Sequence, residues 1–274
     1  MASDAGFAAP AARWRARLLP VLLPVLVGLL MLCGWEALVR IAEIPVYVLP
    51  GPLRIAGSLI DGWATLSDSL LVTLQVTFLA LLAAVVGGGG LAILFAQSKW
   101  VEASLFPYAV ILQVTPIVAI APLILIYVRN TEFALLICAW LVAFFPILSN
   151  TSLGLNSVDH NYLDLMQLYR ARRHQVLWYL RLPGAMPYFL GGLRIAGGLS
   201  LIGAVVAEFT AGTAQAGSGL AYRILESGFR LDIPRMYAAL VLLSGTGILI
   251  FFLFSFVSWL VLHRWHESAA RREH

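Results

Sequence analysis

Residues 159–183, DHNYLDLMQLYRARRHQVLWYLRLP, form a charged, wet segment in a chain that is otherwise almost wholly apolar. Asp159, Asn161 and Asp164 crowd its start, while Arg170, Arg172 and Arg173 follow Tyr169. That order of charge suits the dipole of a short helix. Leu165, Leu168 and Tyr169 share one face at helical spacing. The segment reads as a short helix with an apolar face available to press into a partner. An amphipathic helix resting on a membrane surface is the other reading of the same residues.

The surroundings of this segment set the fold class. Hydrophobic residues make up 61% of the 274 residues and charged residues 12%, and mean hydropathy is +0.88. An ordinary globular domain is about one quarter charged, so this composition belongs in lipid. A helix crossing the hydrocarbon layer needs roughly 20 apolar residues, which leaves room for several spans and none for a separate soluble domain. The formal charge of +4 does not indicate nucleic acid, because the arginines flank apolar runs instead of forming a soluble basic face. Cys33 and Cys138 each fall inside an apolar run and read as small buried hydrophobes.

The chain is expected to be all-α, a polytopic membrane protein of six transmembrane helices at about 18–41, 70–96, 105–128, 133–153, 187–209 and 236–262. Residues 1–17 and 263–274 are the expected tails, and 154–186 is the segment between spans four and five. The first apolar run is too long for a signal peptide and is read as a retained span; Leu32 is too bulky for a lipoprotein cleavage site before Cys33. Leu53 to Leu66 is expected to form a short interfacial helix. Gly87 to Gly90 in span two are read as a close helix contact. Span three carries Pro107, Pro116 and Pro122, which free backbone carbonyls and kink the helix beside Gln113 and Thr115. Gln113, Thr115, Pro116, Ser200 and Glu208 are the candidate pathway residues. In span five, Gly192, Ala196, Ser200, Gly203 and Ala207 form a small-residue stripe, the signature of close helix approach. Thr210 to Arg235 is expected to be a polar loop.

Six spans put both termini on one side. Eleven basic residues then share the side of the termini: three before span one, Lys99, Arg170, Arg172, Arg173, Arg181 and three in the tail. Six face the other side: Arg40, Arg54, Arg129, Arg223, Arg230 and Arg235. Arginine and lysine in short loops favour the cytoplasm, so both termini and the 159–183 segment are expected there.

Catalytic chemistry finds no support. Lys99, the only lysine, lies outside any glycine-rich phosphate loop. The five histidines are all assigned to the cytoplasmic side, and no Cys, His, Asp and Glu cluster has metal-ligand spacing. Ser218 in Gly217-Ser218-Gly219 has no histidine on its side of the membrane to activate it. Glu36 and Glu208 fall near outer span ends and Arg194 near an inner one, so no ordered intramembrane charge relay is present to support a stand-alone secondary transporter or channel, the competing reading.

The opening segment resembles the cytoplasmic signature of bacterial binding-protein-dependent ABC importer permeases, EAA, three residues, G, nine residues, I-x-LP. Asp164-Leu165-Met166 stands at EAA, Arg170 at the glycine and Leu180-Arg181-Leu182-Pro183 at I-x-LP, with both gaps matching. Trp35-Glu36, Leu49-Pro50-Gly51-Pro52, Pro116 to Leu123, Gly192 to Ala196, Val205 to Glu208 and Gly219-Leu220 resemble the nitrate, sulfonate, taurine and thiamine-precursor branch of that family. The resemblance implies a bacterial inner-membrane permease that is not itself an enzyme. It implies no cofactor in this chain, with ATP and Mg bound by a partner ATPase. It further implies a periplasmic or extracellular substrate-binding protein, a second permease copy as a homodimer, surrounding membrane lipid, and no nucleic acid. It assigns ATPase coupling to Asp164, Leu165, Met166, Leu168, Tyr169, Arg170, Leu180, Leu182 and Pro183. Among sulfonates, nitrate, taurine and pyrimidine-like vitamin precursors, overall resemblance leans towards a small nitrogen heterocycle. An arginine at the family glycine is expected to make the turn more helical and to contact an acidic ATPase residue.

Overall fold

In hydrocarbon every backbone N–H and C=O must be satisfied internally, which makes the helix the default for a long apolar run. In the computed structural model, which describes residues 10–212 and 218–263 with side chains from Leu22 onward, each such run is helical. The α-helices are α1 (Pro10–Ile41), α2 (Pro52–Asp61), α3 (Trp63–Gln97), α4 (Lys99–Val114), α5 (Ile117–Tyr127), α6 (Thr131–Asn156), α7 (His160–Leu168), α8 (Arg173–Val176), α9 (Leu182–Ala211), α10 (Leu220–Phe229) and α11 (Ile233–Leu262). The expected N-terminal tail is already helical from Pro10. Residues 1–9, Gly217 and residues 264–274 with Arg264, Arg271 and Arg272 lie outside the described residues, as do the side chains of Arg13, Arg15 and Arg17.

Five helical runs are long and apolar enough to cross a membrane: Leu22–Ile41, Trp63–Gln97, Thr131–Asn156, Arg173–Ala211 and Ile233–Leu262. The expected third span differs. It is helical from Lys99 to Tyr127 but bends by 100° between α4 and α5, so it counts as a sixth span only as a broken pair. Thr115 and Pro116 are both extended there, with ψ of 122° and 119°. Proline drives its predecessor out of the helical region and offers no N–H. Thr115 softens the break by donating its hydroxyl to the Ile111 carbonyl at 2.7 Å. Pro107 and Pro122 remain inside their helices.

The centre of the molecule is α3, α6 and α9 packed side by side. Gly192, Ala196, Ser200, Gly203 and Ala207 are all buried on α9. A Cβ on Gly203 would lie 2.8 Å from the Ala139 Cα, and one on Gly192 would lie 2.9 Å from the Pro146 carbonyl. The stripe therefore packs α9 onto α6 within one chain. Of the four glycines in α3, Gly88 makes the close contact, since a Cβ there would sit 3.0 Å from the Phe144 carbonyl, and the helix runs on unbroken. By contrast α1 lies at the edge, with its apolar residues and Cys33 exposed, while Cys138 is buried in the core. The expectation that Cys33 is a buried hydrophobe is therefore corrected.

Span five also begins earlier than its apolar composition indicates. The helical run starts at Arg173 and passes into α9 through one wide turn, Leu177–Arg181, in which the Leu182 amide donates to the Leu177 carbonyl five residues back. Such π-type turns loosen the ladder, and this one sits immediately before Pro183, whose ring would crowd an ordinary turn. The expected polar loop 210–235 contains α10, whose Leu220, Ala221 and Ser227 face inward at helical spacing.

Candidate functional site

The coupling candidates from Asp164 to Arg170 lie on or just after α7, whose outer face no described residue covers. Asp159 starts α7 by accepting from the Asn161 amide at 2.9 Å, an N-cap suited to its short carboxylate. No residue of α7 is buried. Leu165, Leu168 and Tyr169 are exposed, Leu168 at 81% and Tyr169 at 78%, and Asp164 is exposed while Met166 is half-buried. The stop is a Schellman turn: Arg170 N–H donates to the Gln167 carbonyl and Ala171 N–H to the Met166 carbonyl, both at 2.9 Å.

Arg170 takes the left-handed position of that turn, with φ of 53°. The expectation of a more helical turn is corrected, because the double hydrogen bond demands a left-handed residue whatever its side chain. The conformation costs a non-glycine residue about 1 kcal/mol. An Arg170→Gly variant is therefore expected to hold the turn more firmly. Hydrogen exchange of the Ala171 amide should slow by about fivefold, and an unchanged rate would show that no strain resides there.

Leu180, Leu182 and Pro183 are half-buried, and Leu182 packs against the core shared by α3, α6 and α9. Arg181 donates from Nη1 to the Ala96 carbonyl at 2.7 Å, which places a cation on the last turn of α3 where carbonyls lack partners. The segment is thus tied to two central helices at its C-terminal end and free at α7.

Of the pathway candidates, Gln113, Thr115 and Pro116 line one cavity of about 290 Å³ together with Leu112, Phe145 and Leu199. The α4–α5 break opens it. Ser200 does not join them: it is buried, and its hydroxyl donates to the Gly197 carbonyl on its own helix at 2.9 Å.

Glu208 is also elsewhere, 3% exposed. Its Oε1 accepts from the Thr73 hydroxyl at 2.8 Å and its Oε2 from the Ala221 amide at 3.0 Å, while the Leu220 amide donates to the Thr73 oxygen at 2.9 Å. These amides are the first two of α10, which its own N-cap, Gly219, cannot satisfy. A side chain at Gly219 would fall on the Glu208 carboxylate. The same device recurs at α2, where Glu36 accepts from the Leu53 amide at 3.2 Å and from Arg40 at 2.7 Å. A Cβ on its N-cap Gly51 would stand 2.6 Å from the Glu36 carboxylate. Two helices at this end are therefore capped by glutamates from α1 and α9.

Sequence reasoning missed Thr73, Gly51 and Gly219 as partners of these acids. The available signal was a glycine immediately before each short helix. On α10, Arg223 donates to Ser69 at 2.9 Å and to Glu226 at 2.8 Å, and Arg230 also pairs with Glu226. The Arg223 hydrogen bond holds the Glu226 carboxyl below the usual carboxylate range against partial desolvation, helped by the charges of Arg230 and Arg235. These ties are intact above that range and are lost only as pH falls through the lowered value.

Comparison with known proteins agrees with this architecture. Residues 84–267 match the family model of the binding-protein-dependent transport system inner membrane component. The riboflavin transport system permease protein RibX of Chloroflexus aurantiacus is 34% identical over 93% of this chain and 92% of its own. The formylaminopyrimidine transport permease protein ThiX of Halalkalibacterium halodurans is 33% identical over 82% of this chain and 89% of its own. The fold is that of a chain in the inward-facing methionine ABC transporter MetNI, with a TM-score of 0.63 at 16% identity, covering 72% of this chain and 96% of that one. With five apolar spans and one bent pair among the described residues, a core of α3, α6 and α9 and a match spanning 84–267, the chain belongs to the binding-protein-dependent transport system inner membrane component family and is an ABC transporter permease.

Proposed function

We propose that this permease acts as one of two copies in an importer. Its helix α7 seats in a separate ATPase that holds ATP and Mg, and a soluble binding protein delivers substrate at the face carrying α2 and α10. Both termini lie on the cytoplasmic side with α7. The single observation that carries this reading is the uncovered apolar face of Leu165, Leu168 and Tyr169, since a soluble helix keeps such a face only when a partner covers it. Asp164 and Met166 flank that face, and Leu180, Leu182 and Pro183 carry displacement into α9. The Arg170 guanidinium meets an acidic ATPase side chain. Loss of ATPase association in Arg170→Gly, despite the firmer turn, is the sign of that contact.

The substrate is a small nitrogen heterocycle without net charge. The cavity beside Gln113, Thr115 and Pro116 has no charged lining residue. Nitrate, or the sulfonate of an alkanesulfonate or of taurine, would be stripped of water there without a counter-charge. Phe145 and Leu199 line the cavity as apolar surface for a planar ring, and the Gln113 amide offers both a donor and an acceptor. The names of the riboflavin and formylaminopyrimidine relatives point the same way.

The test is uptake into proteoliposomes holding the permease, its ATPase and its binding protein. An aminopyrimidine is expected to enter in an ATP-dependent manner and taurine to fail. Gln113→Ala is expected to lower uptake about tenfold, the loss of one well-placed hydrogen bond. Preferential uptake of taurine would sink the substrate assignment, and ATP-independent uptake would sink the importer reading.

A further inference from the structure

Among the described residues, two cavities besides the one at Gln113 differ in charge. The one at the α2 face, about 700 Å³, sets Arg54 and Arg235 against Asp61 and Asp232 and is balanced. The other, about 630 Å³, lies between the α3–α4 turn and the coupling segment. Lys99, Arg173 and Arg181 line it, and no lining residue is acidic. None of the three makes an ion pair among the described residues. Ser98, the N-cap of the 16-residue α4, borders the same space, adding the positive end of that helix. Three cations and a helix N-terminus around one cavity repel one another unless an anion lies between them.

We propose that this cavity binds a phosphate-type oxyanion, presented as the headgroup of an anionic lipid. Lys99 and Arg173 provide the open contacts, because Arg181 already spends one nitrogen on the Ala96 carbonyl. The surroundings favour a lipid over a soluble phosphate. Val176 and Leu177 line the cavity on its apolar side, Trp100 at its rim is 86% exposed, and Trp178 and Tyr179 are exposed on the adjoining turn. Exposed Trp and Tyr next to basic residues mark the depth at which headgroups lie. The cavity joins the α3–α4 turn to α7 through Leu163 and Gln167, so the headgroup bridges the membrane surface and the coupling segment. The neutral cavity beside Gln113 plays no part in this site, and the two assignments fail independently.

The experiment uses the full-length protein in nanodiscs of equimolar phosphatidylcholine and phosphatidylglycerol, with native mass spectrometry counting the phosphatidylglycerol retained on release. Lys99→Gln/Arg173→Gln is expected to weaken retention by about thirtyfold, the effect of two basic residues at an anionic surface. Lys99→Arg/Arg173→Lys is expected to restore it, and both variants should melt with the wild type because neither position is buried. A parallel arm offers inorganic phosphate to the protein in phosphatidylcholine alone. Tight phosphate binding there, lost in the glutamine variant, keeps the oxyanion site and overturns its lipid source. Equal retention of phosphatidylglycerol by wild type and glutamine variant overturns the site. So does a glutamine variant that keeps its lipid and loses only ATPase association, since the cations then serve a protein partner.

Discussion

A Leu168→Asp permease is expected to fold, insert and melt normally, yet to lose ATP-driven uptake. Leu168 is 81% exposed on a helix with no buried residue, so an aspartate there meets water in the isolated chain and costs it little. In the assembled importer the same carboxylate would be buried without a partner, beside the apolar patch formed with Leu165 and Tyr169. Loss of a central interface residue costs about 2 kcal/mol or more, which is a factor of about thirty in affinity. Titrating purified ATPase against wild-type and variant proteoliposomes reads that factor directly, and uptake should fall with it while residual ATP hydrolysis continues. Uptake at the wild-type level would show that α7 is not the docking element. The Leu168→Met variant, which keeps the apolar volume, should behave as wild type.

The largest loss of stability is expected for Glu208→Ala. That change leaves the Ala221 amide without its acceptor at a site 3% exposed and leaves the Thr73 hydroxyl only its longer bond, 3.2 Å, to the Ser69 carbonyl. A stranded donor costs about 1–3 kcal/mol, and α10 loses the cap that its glycine cannot supply. A fall of about 3 kcal/mol in unfolding free energy is expected, visible as a drop in melting temperature and as faster proteolysis within α10. Glu208→Gln, which keeps one carbonyl oxygen, should recover about half. A Glu208→Ala protein that melted with the wild type would mean that the packing of α10 on its neighbours and the Arg223–Ser69 bond hold it without the cap. Adding a side chain at Gly219 should produce the same phenotype from the other direction, because the space it would need belongs to the carboxylate.

These expectations differ in how far the sequence announced them. Apolar length alone announced most spans, because the hydrocarbon thickness sets a minimum that composition either meets or does not. The stripe on α9 was equally plain, since a four-residue period on one helix is local information. The fate of three prolines in 105–128 was not. Only Pro116 breaks the chain, and what distinguishes it is the extended Thr115 before it, not its own chemistry. The helix α10 hid behind its polar residues: Arg223, Glu226 and Arg230 pair with one another and leave too few apolar positions for a period to stand out. Arg170 was readable as a departure from a glycine but not as a left-handed residue, because turn geometry is fixed by hydrogen bonds and not by the side chain placed in it. The Glu208 cap was the least legible, joining residues 135 and 147 positions apart, Thr73 to Glu208 and Thr73 to Leu220, that no local pattern connects.

The unbroken run from Arg173 to Ala211 has a mechanical meaning. Its 39 residues make a rod of about 58 Å, with the docking segment at one end and the Glu208 cap near the other. The Leu177–Arg181 turn acts as a compliant collar close to the driven end, and the glycine contacts with α6 act as a bearing along the shaft. A tilt of about five degrees about such a bearing displaces a tip about 30 Å away by about 2.5 Å, roughly the length of one hydrogen bond. Under the proposed coupling, the Thr73–Glu208–Ala221 cluster is expected to act as a detent that a small angular input at the α7 end seats or releases.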